Sequence, residues 1–128
     1  MSRTAIRRPL TVAAAAFALV ATGALVAPSP ASAHWSCGRA APPDLDTTGG
    51  HHTVFTANLR VGSSLRCLDV GDVYMSESLD YHCYALDING LDTWTYVVSV
   101  QTKARGWIRD DGLNDNGSQV WCPGQTQV

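Results

Sequence analysis

The stretch LDYHCYALDINGLDTWTYVVSV, from Leu79 to Val100, decides the fold class. Its first part alternates, so that Leu79, Tyr81, Cys83 and Ala85 are expected on one face of a strand. Asp87-Ile88-Asn89-Gly90 follows, and Asn-Gly is a strong short hairpin signal because both residues tolerate positive φ. Trp94 to Val100 is rich in aromatic and β-branched residues, the composition of a strand. Alternation there puts Trp94, Tyr96, Val98 and Val100 on one face and Thr95, Val97 and Ser99 on the other. One face should be inside and one outside, which would leave part of the tyrosine set exposed.

Further strand-like pieces flank this hairpin. Thr53 to Val61 (TVFTANLRV) is broken by Gly62-Ser63-Ser64, and Leu65 to Val73 (LRCLDVGDV) follows. Tyr74 to Ser78 is polar enough for a turn, and Gly106-Trp107-Ile108 is a short apolar step. Asp110 to Leu113 reads as a tight turn or one turn of 3₁₀ helix, and Asn114 to Val128 as a loop-like tail. After Ala33 no window supports a long amphipathic helix. Short strands at close spacing predict an all-β domain, a small sandwich or barrel.

The amino terminus reads as an export signal. Arg3, Arg7 and Arg8 precede an apolar run from Val12 to Val26, and Ala31-Ser32-Ala33 offers the small residues of a cleavage site. The apolar run is shorter than the roughly 20 residues a membrane-spanning helix needs. The expected mature chain begins at His34, is secreted and extracellular, and has no membrane partner. Removal of the signal leaves six basic against eleven acidic residues, a net charge of −5. Such a balance argues against nucleic acid as a partner. The expected organisation is signal peptide 1–33, flexible tether 34–52, barrel or sandwich 53–113 and tail 114–128.

Cys37, Cys67, Cys83 and Cys122 all follow the cleavage site, and an even count in an oxidising space predicts two disulfides. If the Tyr74–Ser78 turn makes a hairpin centred near Met75, Cys67 faces Cys83 across the ladder. Cys37–Cys122 is then the second bridge, closing the tail onto the tether.

His82 and Cys83 are neighbours in a strand and point to opposite faces, so they do not form a hydrolytic dyad. His34, with His51, His52 or His82, could chelate copper, but His51-His52 lie on a stretch without rigid support. Asp110, Asp111 and Asp115 lack the spacing of a calcium loop. No metal, cofactor or catalytic residue is therefore expected. The aromatic set is the best functional hint, with Tyr74, Tyr84, Trp94 and Trp107 as candidate ligand contacts.

Several motifs together resemble bacterial SH3 domains. Asn58 to Ser64 (NLRVGSS) is similar to the family's opening NVRSGPS, Thr93 to Val97 (TWTYV) to its W-y-k-V strand, and Gly106 to Ile108 (GWI) to its GWV strand. Leu113 falls where the family's closing leucine stands, and CYAL, TWTY and GWIRDDGL resemble small secreted actinobacterial members. Val61 and Ser63 depart from the usual Ser and Pro. The resemblance spans about Val54 to Leu113. It implies a half-open barrel of five to seven short strands that binds cell-wall peptidoglycan or a peptide without catalysis. The expected site is an aromatic and acidic groove between the first loop and the Asn-Gly hairpin, on a monomer. A secreted inhibitor or toxin acting on another protein is the alternative, and a small copper or hydrolytic enzyme the third reading.

Overall fold

A computed structural model describes residues 33–125. All of the expected export signal except Ala33 lies outside the described residues. Five strands form: β1 (Ala57–Arg60), β2 (Asp69–Val73), β3 (Leu79–Leu86), β4 (Thr93–Ser99) and β5 (Arg105–Arg109), followed by a 3₁₀ turn at Asp110–Gly112. They make one antiparallel sheet in the order β2-β1-β5-β4-β3. The domain is therefore all-β and is stapled by two disulfides. No helix among the described residues is long and apolar enough to cross a membrane.

The β3–β4 hairpin forms where the alternation puts it, with Leu86 opposite Thr93 and Leu79 opposite Ser99. Its turn differs from a two-residue Asn-Gly hairpin. The loop spans Asp87 to Asp92, Gly90 N–H bonds Asp87 O, and Gly90 holds a φ of 73°. A longer loop needs positive φ only at its glycine. Asn89 instead contributes its side chain, whose Oδ1 accepts from the backbone N–H of Leu91 and Asp92.

A bulge divides β3. Tyr81 faces Val97, but Cys83 faces Tyr96, so one extra residue, His82, is inserted. An insertion of one turns the later side chains to the other face. Leu79 and Tyr81 enter one core with Leu59, Val73, Val97 and Ile108. Cys83 and Ala85 enter a second with Trp35, Trp94, Tyr96, Trp107 and Cys122. The four residues expected on one face are shared between two.

Both faces of β4 are consequently buried. Trp94 and Tyr96 lie under one covering, Thr95 and Val97 under the other. The expectation of an exposed β4 face is corrected, and the cause is the chain ends. Trp35 packs against Trp107 with ring centroids 5.5 Å apart, and Arg39 stacks over Trp35. Ser63 docks this segment. Its hydroxyl accepts from Trp35 N–H and donates to Leu86 O, while its own N–H bonds Trp35 O. A proline at this position would supply neither donor. Residues 34–52, read as a tether, thus carry a buried tryptophan and a buried histidine.

The disulfides are Cys37–Cys67 and Cys83–Cys122. The expected pairs Cys67–Cys83 and Cys37–Cys122 are both wrong, because β2 does not pair with β3. Those strands occupy opposite edges of the sheet. β2 pairs instead with β1, and the connecting loop is closed by Val61 N–H to Leu68 O and by Arg60 Nη1 to the carbonyls of Leu65 and Cys67. Tyr74–Ser78 is a corner rather than a hairpin turn. Glu77 is buried in it, accepting from Tyr74 N–H, Ser99 Oγ and Thr102 Oγ1. These bonds hold the Glu77 carboxyl below its ordinary range. They direct the chain toward the end of β4 and away from β2.

Candidate functional site

A cleft of about 330 Å³ opens at the end of the sheet where β1, β4 and β5 meet the 3₁₀ turn. Trp94 and Ile108 line its base, and Phe55 and Leu65 stand exposed at its sides. Trp94 is only 2% exposed, and its indole N–H donates to Asp87 Oδ2 at 2.7 Å, which fixes the ring. Arg60 is held by two loop carbonyls, and Arg109 pairs with Asp111 at 2.9 Å. A second hollow of about 250 Å³ shares Arg109 and Asp111 and extends to Leu91 and Asp92. The two hollows adjoin at Arg109 and Asp111, with Leu65 of the β1–β2 loop lining the first and Leu91 of the β3–β4 loop the second. Leu91 is 84% exposed, and Phe55, Leu65 and Leu91 present large apolar side chains to solvent. Apolar walls with a few oriented polar groups are what a small ligand site needs.

The four aromatic residues expected from the sequence are not brought together. Trp94 lines the groove. Trp107 is 1% exposed and packs between Trp35 and Tyr96 in the second core. Tyr74 is exposed at the corner before β3, and Tyr84 lies edge-on against Trp121 of the tail, 5.1 Å between centroids. Strand pairing separates them, because β2 and β3 are the two edges. Phe55, Leu65 and Leu91 were missed. All three lie outside the strands, where no periodicity marks an apolar residue as exposed.

A polar interlock was also missed. His51 is buried, with its ring stacked on Tyr81 at 3.7 Å. Its Nδ1 lies 2.5 Å from Asp115 Oδ2 and its Nε2 2.9 Å from Thr48 Oγ1. Tyr81 O–H donates to Asp115 Oδ1, and Ser118 O–H to Asp46 Oδ2. The order hydroxyl, imidazole, carboxylate is that of a hydrolytic relay. However, the Thr48 hydroxyl also bonds Asp46, and a hydroxyl has a single proton to give. The arrangement ties residues 46–51 to the tail. Burial alone would raise Asp46 and Asp115, yet the hydrogen bonds they accept outweigh it, and both carboxyls sit below their ordinary range.

Asp110 behaves in the opposite way. Burial pushes its carboxyl up to about 6 although Thr95 Oγ1 donates to it. Gly117 closes over it with a φ of 87°, and a Cβ there would meet Asp110 Oδ1 at 2.2 Å. Asp110, Asp111 and Asp115 engage Thr95, Arg109 and His51 respectively. His51 is engaged by Asp115 and Thr48, whereas the His82 imidazole faces Pro42 O, Asp44 and Asp80.

No family model matches this sequence, no curated protein is similar to it, and no solved structure matches it.

Proposed function

We propose that this is an exported, non-catalytic binding module of SH3-like type, which holds a cell-wall peptidoglycan strand or a peptide in the groove over Trp94. The observation that carries this reading is the groove itself. Exposed Phe55, Leu65 and Leu91 flank a fixed indole, and Arg60, Arg109 and Asp111 supply the polar contacts. Its position between the β1–β2 and β3–β4 loops is the place expected for the ligand from the resemblance to bacterial SH3 domains. Two disulfides suit an oxidising, extracellular setting.

The test is co-sedimentation of the secreted protein with purified peptidoglycan, followed by analysis of the polymer. Binding should saturate and leave the polymer intact. The double variant Phe55→Ala/Leu65→Ala should lose binding while staying folded, and Tyr74→Ala, outside the groove, should bind normally. Released muropeptides would replace the reading with a hydrolytic enzyme.

Failure to sediment would favour a second reading, a secreted inhibitor or toxin acting on another protein. A specific feature supports that one: β2 is an edge strand, and Leu68 and Val70 on and beside it are exposed. Edge strands are templates for pairing with another chain.

A further inference from the structure

We propose that Asp44, Asp80 and His82 form a binding site for a single zinc ion. One ligand atom from each residue lies within 4.8 Å of the others. Asp80 and His82 both lie on β3, and the bulged His82 turns its Nε2 to within 3.6 Å of Asp80 Oδ2. Asp44 is brought to them by the amino-terminal segment, whose Leu45 and Asp46 N–H groups both bond His82 O, at 3.1 and 2.9 Å. The segment carrying one ligand is thus anchored on the backbone of another.

The orientation of the imidazole points to a metal more directly than the carboxylates do. His82 Nδ1 lies 3.0 Å from Pro42 O. A carbonyl oxygen can only accept, so Nδ1 carries the hydrogen and Nε2 is the nitrogen turned toward the carboxylates. Nε2 stands 3.6 Å from Asp80 Oδ2 and 4.0 Å from Asp44 Oδ2. A ring nitrogen held to a backbone carbonyl, with the opposite nitrogen presented, is the outer-shell pattern of metal-ligating histidines. Packing against Tyr96, with centroids 5.1 Å apart, fixes the ring further. The bulge at His82 aims it there, as bulges beside functional sites do.

The donor set and the spacing select the ion. An imidazole with two carboxylates suits zinc, whereas calcium and magnesium take oxygen ligands. Tetrahedral zinc with bonds of about 2.0–2.1 Å places its ligands roughly 3.3 Å apart. The separations from Nε2, 3.6 Å to Asp80 and 4.0 Å to Asp44, need to close by about 0.3 and about 0.7 Å to reach that spacing. Asp44 and Asp80 are each partly open to solvent, which leaves the fourth position to water or to a donor from a bound molecule.

Isothermal titration of the secreted protein with zinc chloride, in a non-chelating buffer at neutral pH, tests the site. The expected result is one ion per chain, with affinity reduced tenfold or more in Asp44→Asn and in His82→Ala. Asp44 is exposed, so its variant should fold normally, and zinc should raise the melting temperature of the parent protein but not of Asp44→Asn. His52→Ala, which removes an exposed imidazole outside the site, should bind zinc like the parent. Calcium should give no heat of binding. Zinc affinity that survives Asp44→Asn and His82→Ala, or that falls in His52→Ala, would overturn the proposal.

Discussion

The two cores of this domain are closed by different means. The first, around Leu59, Val73, Val97 and Ile108, is built almost wholly from strand residues that the sheet itself brings together. The second, around Trp35, Trp94, Tyr96, Trp107 and Cys83–Cys122, has strands on one side only. Its other side is chain without regular secondary structure, attached through isolated bridges such as His34 to Leu86 and Tyr84 to Trp121. Scattered backbone hydrogen bonds rather than a continuous ladder hold such a covering, so other contacts must help to offset its ordering entropy. Large aromatic contacts and covalent bonds serve here, and each disulfide fastens one covering segment.

The largest effect should come from the disulfides. Their sequence separations are 30 and 39 residues. By loop entropy each is worth about 3.5–4 kcal/mol, so length alone would make Cys37→Ala/Cys67→Ala and Cys83→Ala/Cys122→Ala nearly equal. Burial separates them. Cys83 and Cys122 are fully buried in the second core, whereas Cys37 is exposed. The Cys83–Cys122 variant should be the less stable by a further 1–2 kcal/mol or so, because it also opens a cavity. Denaturant unfolding of both gives the order, and equal losses would mean that the second core does not depend on its cystine.

Next are Trp35→Ala and Leu59→Ala, one from each core, each expected to cost about 2–5 kcal/mol. The difference should lie in what opens. Leu59→Ala should lower hydrogen-exchange protection across all strands. Trp35→Ala should expose the covering segment to proteolysis between Pro42 and Gly50 while β1 and β2 stay protected. A uniform loss in both would show that the cores unfold as one unit.

Asp110 offers a pH test of the polar layer. Its folded carboxyl titrates near 6 because of burial, above the unfolded value. The folded state therefore holds this proton more tightly, and the associated stability is present below about pH 4 and lost as pH rises through 6. Asp110→Asn should remove that loss, since its amide oxygen can still accept from Thr95. The stability of the variant relative to the parent should grow by about 2 kcal/mol between pH 4 and 6.5. Asp46, Asp115 and Glu77 have the opposite sign and lose stability as pH falls, so only this difference isolates Asp110. A flat difference would contradict the buried charge.

The smallest effect belongs to Asn89→Ile. Gly90, not Asn89, takes positive φ, so the cost is the loss of three side-chain hydrogen bonds at an exposed loop, about 1 kcal/mol or less. Thermal melting is sensitive enough to detect it. A loss of several kcal/mol would indicate a strained turn instead.

For the candidate site, the legible part was Trp94, which stands in a strand with clear composition. Phe55, Leu65 and Leu91 gave no sign of their exposure, since an apolar residue outside a periodic run carries no mark of its side. Asp44 and His82 are 38 positions apart, and nothing local links them. Trp35 was passed over because its neighbours are Pro, Gly and charged residues, the composition of a linker.

By itself the sequence determined the strands β3 and β4, the 3₁₀ turn after Arg109 and the presence of two cystines. Each follows from short-range rules: alternation, β-branched and aromatic content, glycine and aspartate in a turn, an even cysteine count. Tertiary structure alone decided which strands pair, and with that which cysteines join. β2 could have found a partner through either of its flanking turns, and local propensity was similar for both. The choice goes with Arg60 closing one loop on its own carbonyls and buried Glu77 bending the other into a corner through Ser99 and Thr102, partners distant in sequence. The bulge at His82 is of the same kind. A single residue inserted opposite β4 sends half of an alternating strand to the other core, because only there do the chain ends supply something to pack against.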